Sequence, residues 1–104
     1  MHATIRRYEA IDQARTSELV RKAEDSLVPR LSELPGFNGY YLIEGDNGVL
    51  SSVGFFDTAD HAQESVRVAA DWVREAKLET ALANPPTVTS GKVIVRKTRE
   101  LVEA

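Results

Sequence analysis

The sequence contains no cysteine, which removes disulfides, thiolate metal sites and cysteine nucleophiles together. Its one methionine is Met1, and no apolar run approaches the roughly 20 residues of a membrane span. The N-terminus lacks the apolar region of a signal peptide, so a cytoplasmic location is expected. Basic residues are in the minority: 13 Lys and Arg against 16 Asp and Glu leave a net charge of −3, and the 13 are dispersed along the chain. Such a distribution offers no footprint for nucleic acid or for an anionic membrane surface, and neither is expected as a partner. The two histidines, His2 and His61, stand far apart with no carboxylates clustered at ligand spacing, so no metal site and no cofactor are expected. The run GDNG has the composition of a turn and not of a phosphate loop, and no serine sits in a nucleophile-elbow context.

What is present is a hairpin. Phe37 to Glu44 and Val49 to Phe56 are rich in aromatic and β-branched residues, and Asp46-Asn47-Gly48 between them tolerates the positive φ of a tight connection. Both strands are apolar on both faces: Phe37, Tyr41 and Ile43 alternate with Tyr40 and Leu42, and Val49, Val53 and Phe55 with Leu50 and Phe56. A sheet wetted on one side would alternate apolar with polar, so this one requires a layer on each side.

Around the hairpin, His2 to Ile11 alternates as a first strand. Asp12, Thr16 and Ser17 are candidate caps for a first helix, whose apolar arc is Leu19, Val20, Ala23, Leu27, Leu31 and Leu34. Pro29 predicts a kink or split in it, and Pro35-Gly36 its end. Asp57 or Thr58 caps a second helix with a stripe of Ala59, Ala62, Val66, Ala69, Ala70 and Val73; a change of phase at Leu78 and Leu82 predicts a break near Lys77. Asn84-Pro85-Pro86 ends helical structure, Ser90 to Lys97 reads as the last strand, and 98 to 104 is a charged tail expected to fray. The chain of 104 residues is thus one α+β domain, 1–104, in the order βαββαβ. That order gives a ferredoxin-like four-stranded antiparallel sheet with both helices on one face. The helix-free face, also apolar, should meet a second copy, so that two sheets form a dimeric α/β barrel.

The stretches LVPRLSELPGFNGYYLIE, GVLSSVGFFDTADHAQESVRVAADWVREA and PPTVTSGKVIVRK resemble the dimeric α/β-barrel superfamily, in its antibiotic biosynthesis monooxygenase-like branch. With the first strand they cover nearly the whole chain, and they bear on fold more than on activity. The resemblance implies a homodimer and a cofactor-independent monooxygenase acting on an aromatic or phenolic small molecule, or else a non-catalytic small-molecule-binding or stress-related module. Haem-degrading relatives carry an asparagine early in strand one and a histidine after the helix-two tryptophan. Here strand one has no asparagine, and Lys77, Glu79 and Thr80 occupy the region after Trp72, so haem degradation is not expected.

Candidate site residues follow from the elements. His61, Ser65, Val68 and Trp72 form a second line along helix two, which would set an imidazole and an indole at the edge of a helix–sheet cleft, His61 acting as acid or base. The plainer reading makes His61 a solvated first-turn residue and Trp72 a packing residue. Tyr40, Tyr41 and Phe55 on the hairpin, with Val66 on helix two, are candidate walls for a flat aromatic ligand, and core packing alone would also account for them. Arg6 and Arg7, with Arg96 and Lys97, would hold a phenolate or carboxylate near the cavity mouth, or be solvated or paired with Glu9 and Glu44.

Overall fold

In the computed structural model, which describes residues 1–82, 84–97 and 99, four antiparallel strands form one sheet in the order β2-β3-β1-β4. The strands are β1 (His2–Tyr8), β2 (Phe37–Glu44), β3 (Leu50–Phe56) and β4 (Thr87–Lys92). The helices are α1 (Thr16–Lys22), α2 (Val28–Ser32) and α3 (Ala59–Glu75). This is the ferredoxin-like arrangement expected from the order of elements. Most of the tail expected to fray, 98 and 100–104, lies outside the described residues.

β1 ends where Ala10 adopts a left-handed φ of 54°, three residues short of the expected Ile11, and the Ile11 amide then bonds the Gly48 carbonyl in the hairpin turn at 3.1 Å. The Asp12 carboxylate caps a short 3-10 turn over Gln13–Arg15, accepting from the Ala14 amide at 3.1 Å. Along α1, Glu18 bridges Arg15 and Lys22 at 3.0 and 2.9 Å, and these hydrogen bonds hold its carboxyl down to about 2. The helical run is split ahead of Pro29, one of the two expected outcomes, and continues through it. Ala23–Leu27 widen into a π turn between α1 and α2, which places Pro29 in the first turn of α2, where a missing N–H is tolerated.

The hairpin has the expected β2 and a turn at Asn47 and Gly48, with φ of 58° and 76°. One face assignment differs. A bulge at Asn38 shifts the register, so that Phe37 pairs with Phe56 and Gly39 with Phe55. Phe37 therefore leaves the face of Tyr41 and Ile43 and meets Phe56 edge to face at 5.8 Å beneath the helices, because an extra residue reverses the parity of everything before it.

α3 starts at Thr58, whose hydroxyl accepts from the His61 amide at 3.2 Å, and stops as expected beside Lys77, which has a φ of 59°. Its buried face is turned from the predicted stripe. Ala59 and Ala70 are exposed, while Ala62, Ser65 and Trp72 are buried, because the Ser65 hydroxyl bonds the Ala62 carbonyl of its own helix and so enters the core without an orphaned donor. β4 is displaced from the expected Ser90 to Lys97. Its ladder with β1 runs from Arg7–Thr87 to His2–Lys92, one further bond joins the Val93 amide to the Met1 carbonyl, and Ile94 and Val95 continue as exposed chain.

The core lies between the helices and one sheet face: Leu19, Leu27, Leu31, Leu50, Phe56 and Trp72, closed at one end by Leu78 and Leu82. Among the described residues the other face carries no helix. On it Tyr41 is 63 % exposed and Ile43 51 %, with Ile5 beside them. Because the Phe56 ring is 1 % exposed at the centre of this layer, Phe56→Ala should cost about 3–5 kcal/mol in urea unfolding.

Candidate functional site

Alternation along β1 sends Thr4, Arg6 and Tyr8 under the helices, where all three are buried. They line a small cavity of about 50 Å³ between the sheet and the helices, whose apolar walls include Leu27, Leu31, Phe56 and Trp72. Such a space is roomy enough for water, which needs on the order of 10–15 Å³ by this measure, and smaller than a pocket holding a drug-sized ligand.

Arg6 is the polar centre of the cavity. It is 7 % exposed; its Nη1 donates to the Val66 carbonyl of α3 at 3.0 Å and its Nη2 to the Tyr8 hydroxyl at 2.7 Å. A buried cation normally has an anion beside it, since desolvating a charge costs several kcal/mol. Among the described residues no carboxylate pairs with Arg6. The guanidinium carries more N–H donors than these two bonds use, and the Tyr8 hydroxyl, already accepting from Arg6, keeps its own proton to donate. Tyr40 stands on the same face. Burial pushes its phenol above the ordinary tyrosine value; a hydrogen bond with Ser52 partly offsets this, Tyr8 adds to the rise, and the charge of Arg6 gives the smallest effect, a lowering. The site thus offers a fixed positive charge and neutral hydroxyls within apolar walls, a setting that favours a planar oxyanion such as a phenolate, enolate or carboxylate.

The residues singled out from the sequence fall into separate groups. Trp72 and Tyr40 line the cavity. The Trp72 indole N–H donates to the Ser26 hydroxyl at 2.7 Å, and that hydroxyl donates to the Lys22 carbonyl at 2.9 Å, so the ring is tied to the π turn. Tyr41 and Phe55 lie on the open sheet face, in edge contact at 6.2 Å, because their register puts them opposite in parity to Tyr40 and Phe56. Val66 contributes its backbone carbonyl to Arg6, and its side chain is not among those lining the cavity. His61 is away from the cavity, in the first turn of α3. Its ring lies against Gly36, whose φ is 76° and where a Cβ would run into the imidazole, and its Nδ1 is buried without a hydrogen-bond partner.

Of the four cationic residues considered, Arg7 pairs with Glu9 at 3.1 Å in solvent, and Arg96 and Lys97 flank a groove on the open face. Arg6 alone enters the cavity. Pattern reasoning underrated it, because Thr4, Arg6 and Tyr8 are no more apolar than Ala3, Ile5 and Arg7, and only the position of the helices decides which set is buried.

No family model matches the chain, and no curated protein matches it. Solved structures do. A protein of unknown function from Nitrosomonas europaea aligns with a TM-score of 0.74 at 17% identity, over 95% of this chain and 94% of its own. A monooxygenase of Streptomyces coelicolor, crystallised with nanaomycin D, aligns with a TM-score of 0.74 at 13% identity, over 95% and 92%. A Bordetella bronchiseptica protein provisionally described as an antibiotic biosynthesis monooxygenase aligns with a TM-score of 0.72 at 17% identity, over 90% and 97%. The chain has the fold of the antibiotic biosynthesis monooxygenase-like proteins. At these identities the likeness is one of fold, and within this monooxygenase-like fold the cavity chemistry has to be read from the chain's own residues.

If Arg6 serves a ligand and not the fold, removing its charge should leave the free protein unharmed. Arg6→Met removes the cost of burying a charge but also takes a donor from the Val66 carbonyl and the Tyr8 hydroxyl, so the two effects should offset to within about 1 kcal/mol in urea unfolding. A loss of several kcal/mol would instead make the guanidinium structural.

Proposed function

We propose that the protein binds a flat phenolic small molecule in the helix–sheet cavity as its phenolate, held by Arg6 and Tyr8, and oxidises it as a cofactor-independent monooxygenase. The observation that carries this reading is the buried guanidinium with no carboxylate beside it among the described residues. Arg6 would favour loss of the phenol proton to solvent as the ligand binds, leaving an electron-rich ring between Trp72 and Tyr40. In the reaction, dioxygen places one oxygen atom on a ring carbon, which becomes a quinone carbonyl, and the other leaves as water. The substrate supplies every electron, and the apolar walls exclude bulk water from the intermediate. The nanaomycin D bound by the Streptomyces coelicolor protein of the same fold supports the choice of ligand class.

A second reading, a non-catalytic binding module in the same cavity, is favoured by the distance of His61 from the cavity, which leaves no histidine among its lining residues to act as base. The two readings part on oxygen uptake.

We infer also that the open sheet face meets a second copy of the chain, since Ile5, Tyr41 and Ile43 would otherwise leave an apolar face in water. Sedimentation should give a dimer that Ile43→Glu converts to monomer.

Calorimetric titration with a panel of naphthols should give saturable binding with proton release. Arg6→Met should weaken it at least about tenfold, the loss of one charge-assisted hydrogen bond. Oxygen consumption by the bound complex identifies the monooxygenase, and binding without consumption identifies the module. Equal binding by Arg6→Met would overturn both.

A further inference from the structure

The cavity offers only about 50 Å³, less than a ring system fills, so such a ligand reaches Arg6 only if one wall moves. Three grooves test where that wall is. The groove between α2 and α3, about 430 Å³, is lined by Arg30, Glu33, Leu34, Val68, Asp71 and Glu75. It shares no lining residue with the cavity, and an Arg30–Glu75 ion pair clamps it from helix to helix. The groove on the open face, about 630 Å³, also shares none, because the sheet stands between. The third groove, about 290 Å³, runs between the first helical run and β2, and Ala23, Tyr40, Leu42 and Leu50 line both it and the cavity. At that place the partition is one side chain thick.

The same partition is built from the elements best able to yield. β2 is an edge strand of the sheet, so among the described residues no further strand braces its outer side. The helix on the other side is the π turn, Ala23–Leu27, where hydrogen-bond geometry already departs from that of an α-helix. Ala23 presents a methyl group, Leu42 and Leu50 are aliphatic, and Tyr40 is the one large planar side chain of the four. Outside, Glu24 and Glu44 flank the groove with negative charge. A phenol would pass them as the neutral acid and ionise only on reaching Arg6.

We propose that ligands enter between the π turn and β2, and that Tyr40 is the gate whose ring sets the size of what passes. The proposal rests on the cavity being a binding site, yet it is tested in the free protein, so its failure is separable from failure of the ligand assignment. Trp72 is the only tryptophan and lines the cavity, so quenching of its fluorescence by acrylamide reads access directly. Tyr40→Ala should raise the quenching constant at least about twofold, since local opening controls access. Tyr40→Phe, which keeps the ring, and Val68→Ala, on the α2–α3 groove, should leave it at the wild-type value. Tyr40→Leu guards against a poorly folded alanine variant: cooperative urea unfolding establishes that it is native, and an intermediate rise is expected. The proposal is overturned if native Tyr40→Ala or Tyr40→Leu quenches like wild type, if Tyr40→Phe rises as far as the alanine variant, or if Val68→Ala does.

Discussion

A strand sends alternate side chains to opposite faces, and here only one face receives helices. On β1 that rule divides Thr4, Arg6 and Tyr8 from Ala3, Ile5 and Arg7, putting a guanidinium into the core and an isoleucine toward solvent. The other elements accommodate this division. α3 turns its small residues Ala62, Ser65 and Ala69 toward the sheet, which brings its Val66 carbonyl onto Arg6. β3 answers with Ser52 and Gly54, the least bulky residues of its helix-side row. Small residues on both sides of a buried cation leave the space that a better-packed core would fill with methyl groups.

Much of the architecture is legible in the sequence itself. The hairpin announced itself through Asp46-Asn47-Gly48, the second helix through Thr58, and its end through the phase change at Leu78. Each is a local signal, fixed by φ preference, capping or periodicity within a few residues. What escaped was non-local. The last strand lies upstream of the β-branched run Val93-Ile94-Val95 because β1 decides how far the ladder extends. Phe37 changed sides because one bulged residue cannot be seen in a pattern of apolar types.

The candidate site was less legible than the fold. Tyr40 and Trp72 were singled out on aromatic character, and both line the cavity, but His61, Tyr41, Phe55 and the side chain of Val66 do not. The residue with the most pointed chemistry, Arg6, is in sequence indistinguishable from Arg7, Arg96 and Lys97, any of which could hold an anion, be solvated or pair with Glu9 or Glu44. Hydropathy ranks arginine as a surface residue, and burial without a carboxylate is a property of the assembled layers that no window of sequence contains. Trp72 was similarly displaced from a secondary line to the core, because Ser65 counts as polar in any scale although its hydroxyl is satisfied within its own helix.

The contact between Gly36 and His61 has a consequence for how this architecture can vary. The chain turns into β2 at a left-handed glycine, its carbonyl bonds the Asp57 amide at 2.8 Å, and the imidazole of the following helix occupies the position a side chain would need. A side chain at position 36 would therefore meet two obstacles at once, a backbone angle that favours glycine and the ring of His61. The imidazole would have to turn out of its place to admit even a methyl group, so the identities of these two positions constrain each other across the start of α3.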